Sequence, residues 1–165
     1  MNHRSYLLEL HSPEDLIAKD LPEGIAVSRV TSREADRCIR LWTDVGQGYW
    51  SERREWLRQQ WCRYLKNLNV FFCIASRSKQ DIGFFELNLS GKSIKIEGVG
   101  LLPLWRGRGI GGGLLTAATQ HAFELGAERI WLHTATDDHP NALPNYKKRG
   151  YRIYHEENLK NPMAN

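Results

Sequence analysis

At 165 residues the chain has the length of one domain with a single core, and its 41% hydrophobic and 25% charged residues are typical of a globular protein. The formal net charge of +4 favours anionic ligands, but no run of lysine and arginine alternates with aromatic residues, which argues against a nucleic-acid partner. The sequence has no signal peptide and no apolar run near the ~20 residues of a membrane span, which argues against a membrane partner.

The three cysteines of the chain are scattered, at Cys38, Cys62 and Cys73, each within an apolar segment where a small buried thiol is common. They have neither the pairing of a disulfide framework nor the spacing of metal ligands. We therefore expect a cytoplasmic protein without a metal.

The N-terminal part of the chain predicts an extension followed by a strand and a helix. Residues 1–23 form the extension, in which the short apolar stretch Tyr6–Leu10 predicts an additional strand. A strand over residues 24–30 follows. Thr31 and Glu34 have the spacing of a capping box, which predicts that a helix begins here.

Two helices and three strands are predicted next. The first helix carries apolar residues at helical spacing and ends at Gly46, and the second covers about residues 51–68. The period then changes, and Val70–Ala75, Ile82–Leu89 and residues 93–102 predict strands. Short polar turns between these three strands predict that they pair antiparallel.

The last third of the chain predicts alternating helices and strands. A glycine-rich turn leads into a helix that ends near Ala127, and a strand over 129–136, a helix over 142–149 and a strand over 151–155 follow. Strands that first pair antiparallel and are then joined through helices predict an α/β (α+β) fold. We expect a mixed, mostly antiparallel sheet with helices on both faces.

The turn after the third strand of the meander is dense in glycine and arginine. A helix N-terminus follows it, and this adds partial positive charge to backbone N–H groups that glycine leaves accessible. Such a strand–turn–helix arrangement predicts a pyrophosphate site. The predicted cofactor-binding residues of the turn are Arg106, Gly107, Arg108, Gly109, Ile110, Gly111 and Gly112.

The glycines at the start of the predicted helix fit more than one role. Gly111, Gly112 and Gly113 fall in the first helical turn, where each costs about 0.8–1.0 kcal/mol relative to alanine. They serve either a phosphate or the close approach of a neighbouring segment. Gly107, Gly109 and Gly112 also fit the G-x-G-x-x-G pattern of dinucleotide-binding folds. The preceding antiparallel meander and the short remaining chain argue against that fold.

Two motifs give the chain a resemblance to the GNAT superfamily of acyl-CoA-dependent N-acetyltransferases. Arg106-x-x-Gly109-x-Gly111 resembles the motif with which the family holds the coenzyme A pyrophosphate. The segment 142–151 is similar to the family's C-terminal A-x-x-x-Y-x-x-x-G-F segment, with Tyr151 in place of phenylalanine. The two motifs and the order of the elements agree with each other.

The resemblance implies a GNAT domain over residues 24–157, with the extension before it and a tail over 158–165. It also implies that acetyl-CoA binds as co-substrate, with its pantetheine arm along the strand that precedes the glycine turn. Val99 and Leu101 are expected to line that arm, and Asn141 is a further expected contact. Dimers are frequent in the family, so a homodimer is one expectation.

The resemblance also suggests catalytic residues. Tyr146 occupies the position of the family's motif tyrosine and is the predicted acid for the departing thiolate, although it could instead be a core tyrosine. Glu97 lies on the strand expected to carry the acetyl group. It is either the base, acting directly or through water, or a solvated strand residue. His133, Asp137 and His139 offer a rival base.

By analogy with the family, the link between the first two helices forms the acceptor pocket. Tyr49 and Trp50 could pack on an apolar or cationic substrate, and Asp44 or Glu52 could pair with its ammonium group. His139 is the fourth residue predicted to contact the substrate. The residues of the link could equally be core anchors and a helix cap.

Together these inferences predict an N-acetyltransferase that moves an acetyl group from acetyl-CoA to a primary amine by direct attack. The acceptor is a small molecule, a peptide or a protein. Two alternatives stay open. One is a non-catalytic acyl-CoA-binding module, and the other is a dinucleotide-binding enzyme, which would bind NAD instead.

Overall fold

A computed structural model of the chain describes residues 3–159, which form seven strands and four α-helices. The strands are β1 (His3–Leu10), β2 (Ile25–Val30), β3 (Val70–Arg77), β4 (Gln80–Ser90), β5 (Ser93–Leu101), β6 (Arg129–Ala135) and β7 (Arg152–Leu159). The helices are α1 (Ala35–Val45), α2 (Arg58–Leu65), α3 (Gly111–Glu124) and α4 (Ala142–Lys148). None of these four helices is long and apolar enough to cross a membrane.

The seven strands form one sheet in the order β2-β3-β4-β5-β6-β1-β7. The strands β2 to β5 pair antiparallel, β5 and β6 pair parallel, and β1 pairs antiparallel with both β6 and β7. This is the mixed, mostly antiparallel sheet that the sequence predicts.

Helices cover both faces of the sheet. Alternate residues of each strand point to opposite faces, so each face has its own apolar side chains to bury. On β4, Phe85 belongs to the cluster that packs under α3, whereas Phe84 belongs to the cluster under α1 and α2. Phe84 stacks on Phe72 of β3 with ring centroids 4.6 Å apart. The sheet lies between these two clusters, which together form the core.

The start of the first helical segment is confirmed, but the second helix is shorter than predicted. Thr31 and Glu34 form both hydrogen bonds of the capping box. The predicted helix over 51–68 is wrong at both ends, since α2 covers only Arg58–Leu65. Residues 51–57 form turns instead, and the side chain of Arg53 enters the protein from this segment.

The strand predicted in the N-terminal extension is β1, and it lies inside the sheet. Its Leu8 pairs with Leu132 of β6 on one side and with Ile153 of β7 on the other. At the C-terminal end, β7 continues through residues 158–159 of the predicted tail, and the rest of that tail lies outside the described residues.

Candidate active site

A cleft opens where β5 and β6 separate. The two strands pair only from Ser93 to Lys95 of β5, although both strands continue beyond this point. The backbone of β5 after Lys95 is therefore free of β6 and borders a cavity of about 370 Å³. The C-terminal half of β5, the glycine turn, the start of α3 and helix α4 line this cleft.

A β-bulge on β5 directs one carboxylate into the cleft. Gly98 pairs with Glu86 of β4, and Ile96 pairs with Leu87, so Glu97 is the extra residue between them. Bulges change the direction of a side chain locally and are frequent next to active sites. Predicted contacts Val99 and Leu101 follow on the same strand and also line the cleft.

The glycine turn has the backbone conformation expected of a phosphate-binding turn. Gly107 and Gly109 have φ angles of 71° and 76°, which residues with a Cβ rarely adopt. Helix α3 begins at Gly111, and the helix N-terminus points toward the cleft edge formed by Gly111 and Gly112. A Cβ on Gly112 would lie 2.9 Å from Cδ of Lys19.

Gly113, by contrast, serves packing. A Cβ on this residue would lie 2.8 Å from the carbonyl oxygen of Asp20 and 2.9 Å from Cα of Leu21. Of the three consecutive glycines, this third one allows the N-terminal segment to approach the helix closely.

The two arginines of the motif each have partners within the protein. Arg106 lines the cleft, but its guanidinium donates hydrogen bonds to the carbonyl oxygens of Leu101 (3.1 Å) and Val45 (2.9 Å). The Arg108 guanidinium lies 5.0 Å from the ring centroid of Trp105. Arg106 therefore fixes the turn to β5 and to the end of α1. The side chain of Ile110 is buried in the core, which leaves only its backbone for a ligand.

Three other cationic residues line the cleft beside the glycine turn: Lys19, Lys148 and Arg149. A Cβ on Gly112 would lie 3.0 Å from Nη1 of Arg149. Nε of Arg149 is buried and has no hydrogen-bond partner among the described residues. Lys148 and Arg149 occupy variable positions of the second motif, and Lys19 belongs to the extension. No local pattern in the sequence marks these three residues as ligand-binding.

The helix α4 brings Tyr146 to the wall of the cleft. Its hydroxyl group forms no hydrogen bond within residues 3–159, and burial, together with the nearby Asp138, raises the pKa of the phenol. Asn145 holds α4 against α3 because its amide donates to the carbonyl oxygen of Gly111 at 3.2 Å. Asn141, at the start of α4, is exposed and lines the same cleft.

A second cavity, of about 420 Å³, adjoins the cleft. Six residues line both spaces, and they mark the junction between them: Tyr49, Trp50, Ile96, Glu97, His133 and Asp138. The structure thus brings the predicted base and two predicted acceptor residues to one place. Tyr146 lines the cleft, and Glu52 lines the second cavity.

The residues predicted to contact the acceptor substrate line the two cavities and also pack against other parts of the protein. Trp50 packs against Trp42 and Phe84, with ring centroids 5.8 and 5.9 Å away, so it anchors the link between α1 and α2. Tyr49 reaches His139 across the cleft, with ring centroids 5.6 Å apart. Burial and the charge of Arg106 lower the pKa of His139.

Glu97 is held by side chains of the neighbouring strand β4 and of its own strand β5. Its carboxylate accepts hydrogen bonds from Nδ2 of Asn88 on β4 and from Nζ of Lys95 on its own strand, each at 3.0 Å. Below it lies a buried ion pair between Arg53 and Glu86 that the sequence does not reveal. Within the described part of the chain, no three His, Cys, Asp or Glu side chains are grouped as metal ligands.

Comparison with known proteins agrees with this geometry. The model of the Acetyltransferase (GNAT) family matches residues 35–151. A mycothiol acetyltransferase of Corynebacterium aurimucosum is 43% identical over 58 residues, which are 35% of this chain and 19% of that protein. The alignment with that relative therefore covers about a fifth of its length.

Solved structures share the fold at low identity. A GCN5-related N-acetyltransferase from Sphaerobacter thermophilus superimposes with a TM-score of 0.76 at 18% identity, over 94% of this chain and 50% of that chain. The PaiA N-acetyltransferase from Thermoplasma acidophilum, in complex with coenzyme A, gives a TM-score of 0.50 at 20% identity, over 62% of this chain and 74% of that chain. The family match spans more than half of the 165 residues, and the fold agrees with it. The chain therefore belongs to the GNAT acetyltransferase family.

Proposed function

We propose that the chain is an N-acetyltransferase that binds acetyl-CoA in the cleft and transfers the acetyl group to a primary amine in the second cavity. The observation that carries this proposal is the junction of the two cavities. The glycine turn lies on one side of it, an open cavity with aromatic walls lies on the other, and Glu97 lies at the junction itself. Donor and acceptor can meet only where the two spaces join.

The residues beside the glycine turn fit the phosphates of coenzyme A. Backbone N–H groups of residues 107–112 are directed by positive φ angles and by the N-terminus of α3. Lys19 and Arg149 lie within reach of Gly112, and the buried Nε of Arg149 lacks a partner that an anionic oxygen would supply. The separated backbone near Val99 and Leu101 offers hydrogen bonds to the pantetheine arm.

The proposed chemistry is direct transfer. Acetyl-CoA supplies an acetyl thioester, and the attacking amine must lose a proton during the reaction. Glu97 accepts that proton, directly or through water, and Tyr146 donates a proton to the departing sulfur. The Tyr146 hydroxyl lines the cleft and has no partner among the described residues, which leaves its proton available to a ligand there. Backbone N–H groups of residues 99–101 are the proposed donors to the carbonyl oxygen.

The proposed acceptor is a small-molecule or peptide amine. Tyr49 and Trp50 form aromatic walls, and Glu52 lies in the second cavity to pair with an ammonium group. His139, in contact with Tyr49, is the proposed fourth contact. A mycothiol acetyltransferase that aligns with 58 residues of this chain supports a small-molecule acceptor.

Calorimetry with coenzyme A and a thiol-release assay test the proposal. We expect coenzyme A to bind with micromolar affinity, and at least one member of a panel of amines to release free thiol from acetyl-CoA. Arg149→Gln should weaken coenzyme A binding by about 10–100-fold, because a charge-assisted hydrogen bond contributes about 1.5–3 kcal/mol. Arg152→Gln, on exposed β7, is the matched control and should bind as the wild type does.

Two outcomes would favour the alternatives. Binding of coenzyme A without thiol release for any amine would indicate a non-catalytic acyl-CoA-binding module. Protection against thermal unfolding by NAD and not by coenzyme A would indicate a dinucleotide-binding enzyme, since a ligand stabilises the state that it binds.

A further inference from the structure

A buried polar network lies under the second cavity, and the proposed chemistry does not use it. Arg53 and Glu86 are only 8% and 1% exposed. They form a bidentate pair, in which Nη1 and Nη2 of Arg53 donate to the two carboxylate oxygens of Glu86 at 2.8 and 2.7 Å. A buried ion pair is a weak source of stability because both charges lose their hydration. The role of this ion pair is therefore expected to lie in the side chains whose positions it fixes.

Arg53 is fixed in position by aromatic rings as well as by Glu86. Its guanidinium lies 4.4–6.0 Å from the ring centroids of four residues: Trp42, Trp56, Trp61 and Tyr64. Burial acts to lower the pKa of Arg53, but the hydrogen bonds and charge of Glu86 outweigh it and hold that pKa above its ordinary value. Arg53 is thus a permanent cation in one fixed place.

Tyr64 of α2 extends the network toward the sheet. Its hydroxyl oxygen accepts from Nη2 of Arg53 at 3.1 Å and lies 2.6 Å from Oε2 of Glu86. It also lies 3.0 Å from Oδ1 of Asn88, to which it can donate. Burial raises the pKa of Tyr64, so the hydroxyl keeps its single proton, and the shorter contact directs that proton to the carboxylate of Glu86.

The orientation of the Asn88 amide follows from its contact with Glu97. The ionised carboxylate can only accept hydrogen bonds, so Nδ2 of Asn88 faces Glu97, at 3.0 Å, and Oδ1 faces the hydroxyl of Tyr64. The reversed amide would place Oδ1 against the Glu97 carboxylate, which is also an acceptor. The network from Arg53 to Asn88 thus ends in one N–H donor directed at the proposed base.

We infer that Asn88 is a positioning residue: it holds the Glu97 carboxylate at the junction of the two cavities. This inference rests on the proposed function, in which Glu97 accepts the proton of the amine. The hydrogen bond from Nδ2 of Asn88 keeps one carboxylate oxygen of Glu97 in a fixed place, on the residue that lines both cavities.

Other charged and titratable groups face the same region, so the test must isolate Asn88. On β5 and β6 these groups are Lys95, which pairs with Glu97, and His133. From the other elements around the second cavity they are His3, Tyr49, Glu52, Arg53, Tyr64, Glu86, Asp137 and Asp138. A substitution of Asn88 leaves all of them in the chain.

The test compares pH–rate profiles of kcat/KM with the identified amine. Asn88→Asp replaces the donor with an acceptor of the same size and adds a negative charge beside Glu97. We expect the acidic limb of the profile to move to higher pH by about one unit or more, because a like charge at this distance disfavours the ionised form. Asn88→Ala removes the donor without adding charge and should move the limb in the same direction by less. Coenzyme A affinity should stay within about twofold in both variants.

The matched control is Asn158→Asp on β7, which makes the same chemical change four strands away in the sheet. Its profile should coincide with that of the wild type. If Asn88→Asp does not fold, as judged by thermal unfolding, Asn88→Ala decides the question alone. The Asn88 side chain is only half-buried, and the alanine variant leaves the buried Arg53–Glu86 pair intact.

Glu97→Gln tests the assignment of Glu97 as the base separately from the positioning role of Asn88. If this variant flattens the acidic limb while both Asn88 variants leave the limb in place, the positioning role of Asn88 is wrong and the base assignment stands. If Glu97→Gln keeps the acidic limb, the base assignment is wrong and the inference about Asn88 falls with it. Absence of coenzyme A binding by the wild type would instead contradict the proposed function as a whole.

Discussion

Two tyrosines five positions apart in the second motif lie in different environments. Tyr146 faces the cleft with an unpaired hydroxyl among the described residues, whereas Tyr151 is 2% exposed and its hydroxyl lies 2.6 Å from Oγ1 of Thr119. Burial raises the pKa of both phenols, so protonation does not distinguish them. The difference is access: only the Tyr146 proton can reach a ligand in the cleft.

This difference gives a paired prediction. Tyr146→Phe should lower kcat by about 10–100-fold, with a smaller effect on KM, because the departing sulfur loses its proton donor. Tyr151→Phe should leave kcat unchanged and lower the free energy of unfolding by about 1 kcal/mol, since it removes one buried hydrogen bond. Steady-state kinetics and urea unfolding of both variants measure the two effects.

Each variant is the control for the other. An unchanged kcat in Tyr146→Phe would remove this residue from the mechanism. A fall in kcat of the same size in Tyr151→Phe would show that the effect comes from a disturbed α4 and not from a lost proton donor.

At the scale of elements, the glycine turn and the start of α3 combine two functions in adjacent residues. A Cβ on Gly112 would meet the ends of two flexible side chains, those of Lys19 and Arg149. A Cβ on Gly113 would meet the backbone of Asp20 and Leu21, which cannot move aside as easily. The same substitution at these neighbouring positions should therefore act on ligand binding in one case and on stability in the other.

Gly112→Ala should weaken coenzyme A binding by about tenfold while the free energy of unfolding stays unchanged or increases by up to ~1 kcal/mol. The added methyl displaces two cations from the turn, but alanine is the better helix former. Gly113→Ala should lower the free energy of unfolding by about 1–3 kcal/mol through overpacking. Calorimetry and urea unfolding measure these outcomes. Equal losses of affinity, or equal losses of stability, in the two variants would contradict this division of roles.

Local patterns predicted the elements of the fold but not the contacts made between distant parts of the chain. The period of apolar residues, the Thr31 capping box and the glycine turn are properties of a few consecutive residues, and the structure agrees with them. The predicted length of α2 was wrong because residues 51–57 form turns instead of a helix, and Arg53 in this segment is drawn toward Glu86, 33 positions away.

The same limit applies to the candidate site. Tyr146 was predicted from a motif and Glu97 from its place on a strand, and where they lie is compatible with the roles proposed for them. Lys19 could not be found, because its approach to Gly112 depends on how the N-terminal segment folds over α3. The hydrogen bond from Arg106 to the carbonyl oxygen of Val45 could not be predicted either, since Val45 lies at the end of α1, 61 positions earlier in the chain.

At the scale of the whole molecule, the N-terminal segment joins strand β7 to the rest of the sheet and also borders the cleft. Strand β1 fills the place between β6 and β7, so β7 pairs with the rest of the sheet only through it. The chain then passes over α3 and α4. The N–H of Ile17 donates to the carbonyl oxygen of Arg149 at 2.9 Å, and the N–H of Lys19 donates to Oγ1 of Thr116 at 3.0 Å.

This placement predicts that a core substitution in β1 destabilises the protein as much as one in a central strand. Leu8 is fully buried between its partners on β6 and β7, and Leu132 beside it is 1% exposed, whereas Leu159 on the edge strand is 39% exposed. Leu8→Ala and Leu132→Ala should each lower the free energy of unfolding by about 2–5 kcal/mol, through lost apolar burial and the cavity left behind. Leu159→Ala should cost about 1 kcal/mol or less.

Urea unfolding with a single cooperative transition is the measurement, because one m-value for all three variants shows that the sheet unfolds as a unit. If β1 were only an appendage of the family domain, Leu8→Ala would cost no more than Leu159→Ala, or it would produce a separate early transition. A full cost in one transition would instead show that this strand is integral to the sheet. Lys19, nine residues after the last residue of β1, would then be held beside Gly112 by the same cooperative unit that forms the cleft.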